Sequence, residues 1–176
     1  MKIGFCGTMS VGKTTLVNAL KELPEFADYE FRTERSKYLR DLGIPLNTDS
    51  TLKGQFVFLA ERSSELYVDN VVTDRTVIDV MAFTRLADSI PYYIGDTLNE
   101  VASHLLREYD YIFYVSPNGV KLEDNGVRTI DAEYRMEIDQ EICKIIEKYK
   151  TKIPHFARLS GTTEERIKKL KQVMGL

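Results

Sequence analysis

The stretch Gly7-Thr8-Met9-Ser10-Val11-Gly12-Lys13-Thr14-Thr15 constrains this chain more than any other, because it spells G-x-x-x-x-G-K-T, the P-loop pattern. Before it, Lys2-Ile3-Gly4-Phe5-Cys6 is short and apolar, as a buried strand is. After it, Leu16, Val17, Leu20 and Leu23 recur at helical spacing. Strand, glycine loop and helix in that order give the pattern its physical meaning. Gly7 and Gly12 let the backbone curl so that successive N–H groups face one point. The first turn of the helix adds unpaired donors and the positive end of its dipole. Such a nest takes phosphate. Lys13 reaches the outer phosphates of a nucleoside triphosphate, and the Thr14 hydroxyl can ligate Mg2+. ATP and Mg2+ are the expected cofactors, with Thr8, Met9, Ser10, Val11 and Thr15 completing the loop.

A length of 176 residues accommodates one domain with a sizeable core. No repeat, low-complexity tract or Pro/Gly/Ser-rich linker divides it, so residues 1–176 are expected to form a single domain. The net charge of −3 supplies no global field for nucleic acid. No run has the apolar length of a membrane span. Met1 leads straight into a strand with no signal-peptide pattern, which makes the cytoplasm the expected compartment. Cys6 and Cys143 stand far apart in sequence and are read as buried free thiols.

Short apolar runs predict strands at Lys2–Cys6, near Tyr29–Thr33, at Asn70–Thr73, at Tyr111–Val115 and near Phe156–Leu159. Between them the 3.6-residue period predicts helices. Leu52, Phe56, Leu59, Ala60, Leu66 and Tyr67 share one face; Leu98, Val101, Ala102, Leu105 and Leu106 share another. Ile138, Ile142, Ile145, Ile146 and Tyr149 make a third set, and Ile167, Leu170 and Met174 a fourth. Thr76 precedes Val77–Ala87, apolar almost all round and therefore expected to be deeply buried. The stretches 35–49 and 90–95 read as irregular. Strands alternating with helices imply an α/β fold with a parallel sheet covered on both faces, whose ligands lie at the carboxyl ends of the strands.

The residues just past each strand are therefore the functional candidates. Asp74 follows Val71-Val72-Thr73 and can bind Mg2+ on the side of Thr14, leaving Thr76 to cap the next helix. Glu34 can accept a proton from a substrate hydroxyl, or pair with Arg35. Arg128 and Arg135, seven apart beyond a hinge at Gly126, suit a lid over about residues 118–136 that closes on transferring phosphates. Gln55, Phe58 and Arg62 share a helix face that can lead into the cleft, Gln55 to a base edge and Phe58 to stack on it. Core packing is the alternative for Phe58.

The P-loop, Asp74-Arg75-Thr76, Gly126-Val127-Arg128 and Gly161-Thr162 together resemble P-loop kinases of nucleosides and nucleotides over nearly the whole chain, above all the nicotinamide riboside kinase-like AAA-type domain. Phe58-Leu59-Ala60-Glu61-Arg62 followed by Asp74-Arg75 is also similar to thymidylate kinase, whose matching helix arginine contacts substrate. Arg35-Ser36 stand where that enzyme has a proline and glycines. Glu34 and Arg75 match the catalytic glutamate and arginine of deoxynucleoside kinases. The resemblance implies a five-stranded parallel sheet in the order 2-3-1-4-5, a helical lid over the donor, and adenine cradled at Gly161-Thr162.

Transfer of the γ-phosphoryl of ATP to a nucleoside, a nucleoside monophosphate or a related small nucleotide is the expected activity. A hydroxyl acceptor needs a base, Glu34 or Asp74; a monophosphate needs cationic clamps, Arg62 or Arg75. A switch GTPase is disfavoured because no N-K-x-D stretch occurs. A partner-driven ATPase and a kinase of a hydroxyl within nucleic acid are the other readings; for the latter, Tyr92-Tyr93 and Lys37-Tyr38 are thin support. The chain is expected to act as a monomer or homodimer.

Overall fold

The computed structural model describes residues 1–33, 35–117 and 132–176. Strands β1 (Lys2–Cys6), β2 (Glu30–Arg32), β3 (Val71–Thr73), β4 (Tyr111–Val115) and β5 (His155–Leu159) form one sheet in the order β2-β3-β1-β4-β5. Every neighbouring pair is parallel. The helices are α1 (Lys13–Lys21), α2 (Ser36–Asp41), α3 (Leu52–Glu65), α4 (Val77–Arg85), α5 (Tyr92–Ala102), α6 (Ala132–Tyr149) and α7 (Thr163–Met174). Among the described residues no helix is long and apolar enough to cross a membrane.

Alternation along β1 explains the two cores. Ile3 and Phe5 point to one face and pack with Leu16, Leu20 and Leu170 of α1 and α7. Cys6 points to the other, into a layer built from α4, α5 and α6. With both faces covered, the inner strands carry apolar residues in near-continuous runs, as in β4. Each fully buried Leu, Ile or Phe contributes roughly 1.5–3 kcal/mol, so the inner strands are the rigid part. Register then sets the site. Gly4 lies level with Thr73 on one side and Ile112 on the other. The turns leaving β1, β3 and β4 therefore emerge at one rim.

The strands fall where the apolar runs predict them, shorter by one or two residues at β2 and β3 and one residue longer at β5. The faces of α4 and α6 are buried as expected, and both cysteines are free, Cys6 buried as expected but Cys143 only partly buried. Three helical readings need correction. On α3 the apolar set faces inward only in part: Leu66 is buried and Leu59 packs against the core, but Phe56 is 56% exposed and Tyr67, past the helix end, 88%, while the buried residues within the helix are Gly54, Gln55, Arg62 and Glu65. Val101 of α5 is also exposed. The stretches read as irregular hold helices: Ser36–Asp41 forms α2, and α5 begins at Tyr92. Pro91 caps α5, and a proline before a helix start suits its fixed φ.

Candidate active site

The turn after β1 is built on its glycines. Gly12 sits at φ 81° and caps α1, a left-handed conformation that side chains resist. Gly7 lies at φ 149°, and a Cβ there would stand 2.6 Å from the Val115 carbonyl oxygen. β4 thus presses on the loop from behind. Lys13 is buried, and its Nζ donates to the carbonyls of Gly7 at 2.5 Å and Thr8 at 2.7 Å. Its ammonium is held inside the curl of the loop. Met9, Ser10 and Val11 are buried with it, whereas Thr15 on α1 is exposed. Thr14 Oγ1 donates to Asp74 Oδ2 across the short gap between α1 and the end of β3. A hydroxyl beside a carboxylate, both hard oxygen ligands, is a pair that could hold Mg2+. Thr76, not Asp74, caps α4, which leaves the Asp74 carboxylate directed at this rim.

Asp79, which the sequence reading did not single out, ties the rim together. Its Oδ1 accepts from the Gly7 N–H at 3.3 Å and from Arg75 Nη1 at 3.0 Å. Its Oδ2 accepts from the Thr76 N–H at 2.9 Å and from Thr76 Oγ1 at 3.2 Å. The signal was present as a capping box, Thr76-x-x-Asp79, but the helix-cap half of that role hides the other half. Arg75 also lies over the Phe83 ring, 5.4 Å from its centroid.

Beside this junction a cleft with about 670 Å3 of empty space opens between α3 and α4. Met9 of the loop and Arg75 line it on one side; Gln55, Phe58 and Arg62 of α3 line it on another. The three α3 residues share the expected face, and Phe58 borders the cleft. The correction to α3 has its reason here. Part of its inward face is polar because Gln55 and Arg62 wall a cavity, and Phe56 is left on the solvent side. Every cation of the cleft has an acidic neighbour. Arg35 pairs with Glu61 at 3.2 Å; Arg62 pairs with Glu65 at 2.6 Å and Glu61 at 3.9 Å; and Arg75 pairs with Asp79 at 3.0 Å. Glu65 lies so deep that desolvation pushes its carboxyl up to about 7 even with Arg62 beside it. The Tyr109 hydroxyl, also raised by burial, belongs to the same interior group.

Two further arginines close on the loop. Arg135 of α6 donates from Nη2 to the Ser10 carbonyl at 3.4 Å, and its own carbonyl accepts from Thr8 Oγ1 at 3.0 Å. Arg166 of α7 is 4% exposed and donates from Nη1 to the Val11 carbonyl at 2.7 Å. It too escaped the sequence reading, since a lone arginine in a charged helix carries no motif. Gly161 and Thr162 precede α7, where Thr162 and Glu165 form a reciprocal capping box. Glu34 and Arg128, with Gly126 and residues 118–131 of the expected lid, lie outside the described residues; residues 132–136 begin α6.

Three known structures share this fold over nearly the whole of this chain. A deoxyadenosine kinase from M. mycoides, with the products dCMP and dCDP, aligns at TM-score 0.69 and 17% identity, covering 99% of this chain and 98% of the other. Thymidylate kinase from Ehrlichia chaffeensis aligns at TM-score 0.62 and 17% identity, covering 98% of each. NadR protein in complex with NAD and AMP-PNP aligns at TM-score 0.72 and 16% identity; 99% of this chain matches 49% of that one, so this chain spans about half its length. No curated protein sequence matches significantly. At such identities the likeness establishes the fold, that of the P-loop nucleoside and nucleotide kinases. The AAA domain family model matches residues 2–166, and the chain belongs to that family.

Proposed function

We propose that this chain transfers the γ-phosphoryl group of ATP to a small nucleoside-like acceptor held between α3 and α4. One observation carries the reading: Asp79 Oδ1 accepts both from the phosphate loop, at Gly7, and from Arg75 in the wall of the cleft. A donor loop and an acceptor cleft that share one buried ion pair are in line for transfer between them. Lys13 and Arg75 neutralise charge as it spreads over the transferred group. Thr14 and Asp74 would hold Mg2+, which would supply positive charge to the phosphates when bound. Arg135 and Arg128 serve as further clamps, Gln55 and Phe58 orient a base, Arg62 meets the acceptor, and Gly161 and Thr162 border the donor's adenine.

The charge balance of the cleft favours an acceptor that arrives neutral. Arg35, Arg62 and Arg75 each have a carboxylate beside them, so little positive potential is left for the dianion of a monophosphate. A hydroxyl acceptor instead needs a base, and Glu34 or Asp74 takes that role. A labelled-ATP transfer screen across nucleosides, monophosphates and oligonucleotides tests this. Label on nucleosides is the expected result. Label confined to monophosphates or oligonucleotides would reject the neutral acceptor, and ATP consumption indifferent to the whole panel would reject the kinase reading. Full turnover by Glu34→Gln would assign the base to Asp74.

A further inference from the structure

Among the described residues Arg166 is a buried cation without a counter-ion. It is 4% exposed, and its Nε and Nη2 have no hydrogen-bond partner among the described residues. No carboxylate pairs with it there, whereas each arginine of the acceptor cleft has one. Among the described residues its one side-chain bond runs from Nη1 to the Val11 carbonyl, 2.7 Å away. That carbonyl belongs to the phosphate loop itself, one residue before Gly12. A Cβ on Gly12 would stand 3.1 Å from Nη1, so the guanidinium lies directly against the loop.

An isolated charge in such a place is costly to the empty protein. Stability alone would replace it with a hydrocarbon of similar volume. Its surroundings suggest what offsets that penalty. The Val11 carbonyl is held outward, toward α7, so that the N–H groups that follow face into the curl. The cation also adds to the field at the point where the loop receives anionic oxygens. The first turn of α7, fixed by the Thr162–Glu165 box, aims the side chain.

We propose that Arg166 is a positioning residue of the donor site, which sets the shape and potential of the phosphate loop through Val11 and is balanced by the polyphosphate of the bound nucleotide. This rests on the donor reading given above, and it adds a residue on the far side of the loop from the acceptor.

The test is calorimetric titration of wild type, Arg166→Met and Arg166→Lys with Mg-ATP and, separately, with Mg-tripolyphosphate, alongside thermal melts. For Arg166→Met the expected result is a loss of about tenfold or more in affinity for both ligands, with an unchanged or higher Tm. Arg166→Lys should recover part of the affinity because it keeps the charge but not the planar fork. Equal affinity in wild type and Arg166→Met would overturn the proposal while leaving the donor site standing. So would a loss confined to ATP and absent for tripolyphosphate, which would move the action of Arg166 to the base. A Tm drop of several degrees in both variants, in proportion to lost binding, would make Arg166 merely structural. Failure of the wild type to bind either ligand would remove the donor site itself.

Discussion

Replacing Asp79 with asparagine tests the junction between donor loop and acceptor cleft. The substitution keeps the shape but turns one acceptor oxygen into a donor. If the amide replaces Oδ1, the Gly7 N–H and the Arg75 guanidinium lose their acceptor; if it replaces Oδ2, the Thr76 N–H loses its own. The first choice breaks a charged hydrogen bond, about 1.5–3 kcal/mol, and leaves a buried amide unsatisfied, about 1–3 kcal/mol more. The second removes half of the capping box, about 1 kcal/mol, and still strips Arg75 of its buried countercharge. Either route costs roughly 3 kcal/mol. For 176 residues the unfolding entropy is about 0.37 kcal/mol per kelvin, so Tm should fall by about 8 °C. Phosphoryl transfer should fall about a hundredfold, because Arg75 and Gly7 both lose their alignment. Adding Arg75→Met should then do little further harm, since the pair acts as a unit. Melting curves and steady-state transfer rates on the two single variants and the double decide the matter. An Asp79→Asn protein that melts within about 2 °C of wild type and keeps its turnover would refute the junction.

Gly7→Ala should destabilise the chain by roughly 3 kcal/mol, through a strained φ and overpacking, because its methyl would press on the Val115 carbonyl; urea unfolding measures it. Lys13→Ala should lower transfer by about a thousandfold or more while the far-ultraviolet circular dichroism stays that of the wild type. The pH dependence of stability reports on Glu65, whose carboxyl rises from an ordinary 4.5 to about 7. The folded chain holds that proton more tightly than the unfolded one, so its contribution is full below about pH 4.5 and is lost as pH climbs through about 7. Glu65→Gln should flatten that limb, worth up to about 3 kcal/mol, in denaturant titrations between pH 5 and 8.

The architecture was legible because its signals are local. Lys2–Cys6 and Tyr111–Val115 are apolar runs buried on both faces, and Ile138 to Tyr149 keep one period throughout α6. The phosphate loop could be read for the same reason, since its geometry follows from glycine and lysine spacing. α3 could not. Its inward residues Gln55 and Arg62 answer to a cavity and Glu65 to Arg62, and hydrophobic periodicity finds only cores. Asp79 and Arg166 were missed for a third reason. Each acts over a long sequence separation, on Gly7 and Val11 respectively, and no nearest-neighbour pattern records such a contact. The helix at Ser36–Asp41 is six residues long, under two turns, below the length at which a period can be counted.

The partly polar inner face of α3 bears on how the protein breathes. A helix seated largely on amide, guanidinium and carboxyl groups, with Phe56 and Tyr67 left in water and only Leu59 and Leu66 against the core, has fewer of the dry contacts that keep α4 and α6 closed. Its backbone amides should be among the first to take up deuterium in the empty protein, and a molecule seated against Gln55 and Arg62 should slow that exchange. Stiffening of this wall by its guest is then part of recognition, and the wall can be rewritten for a new guest with little disturbance to the sheet behind it.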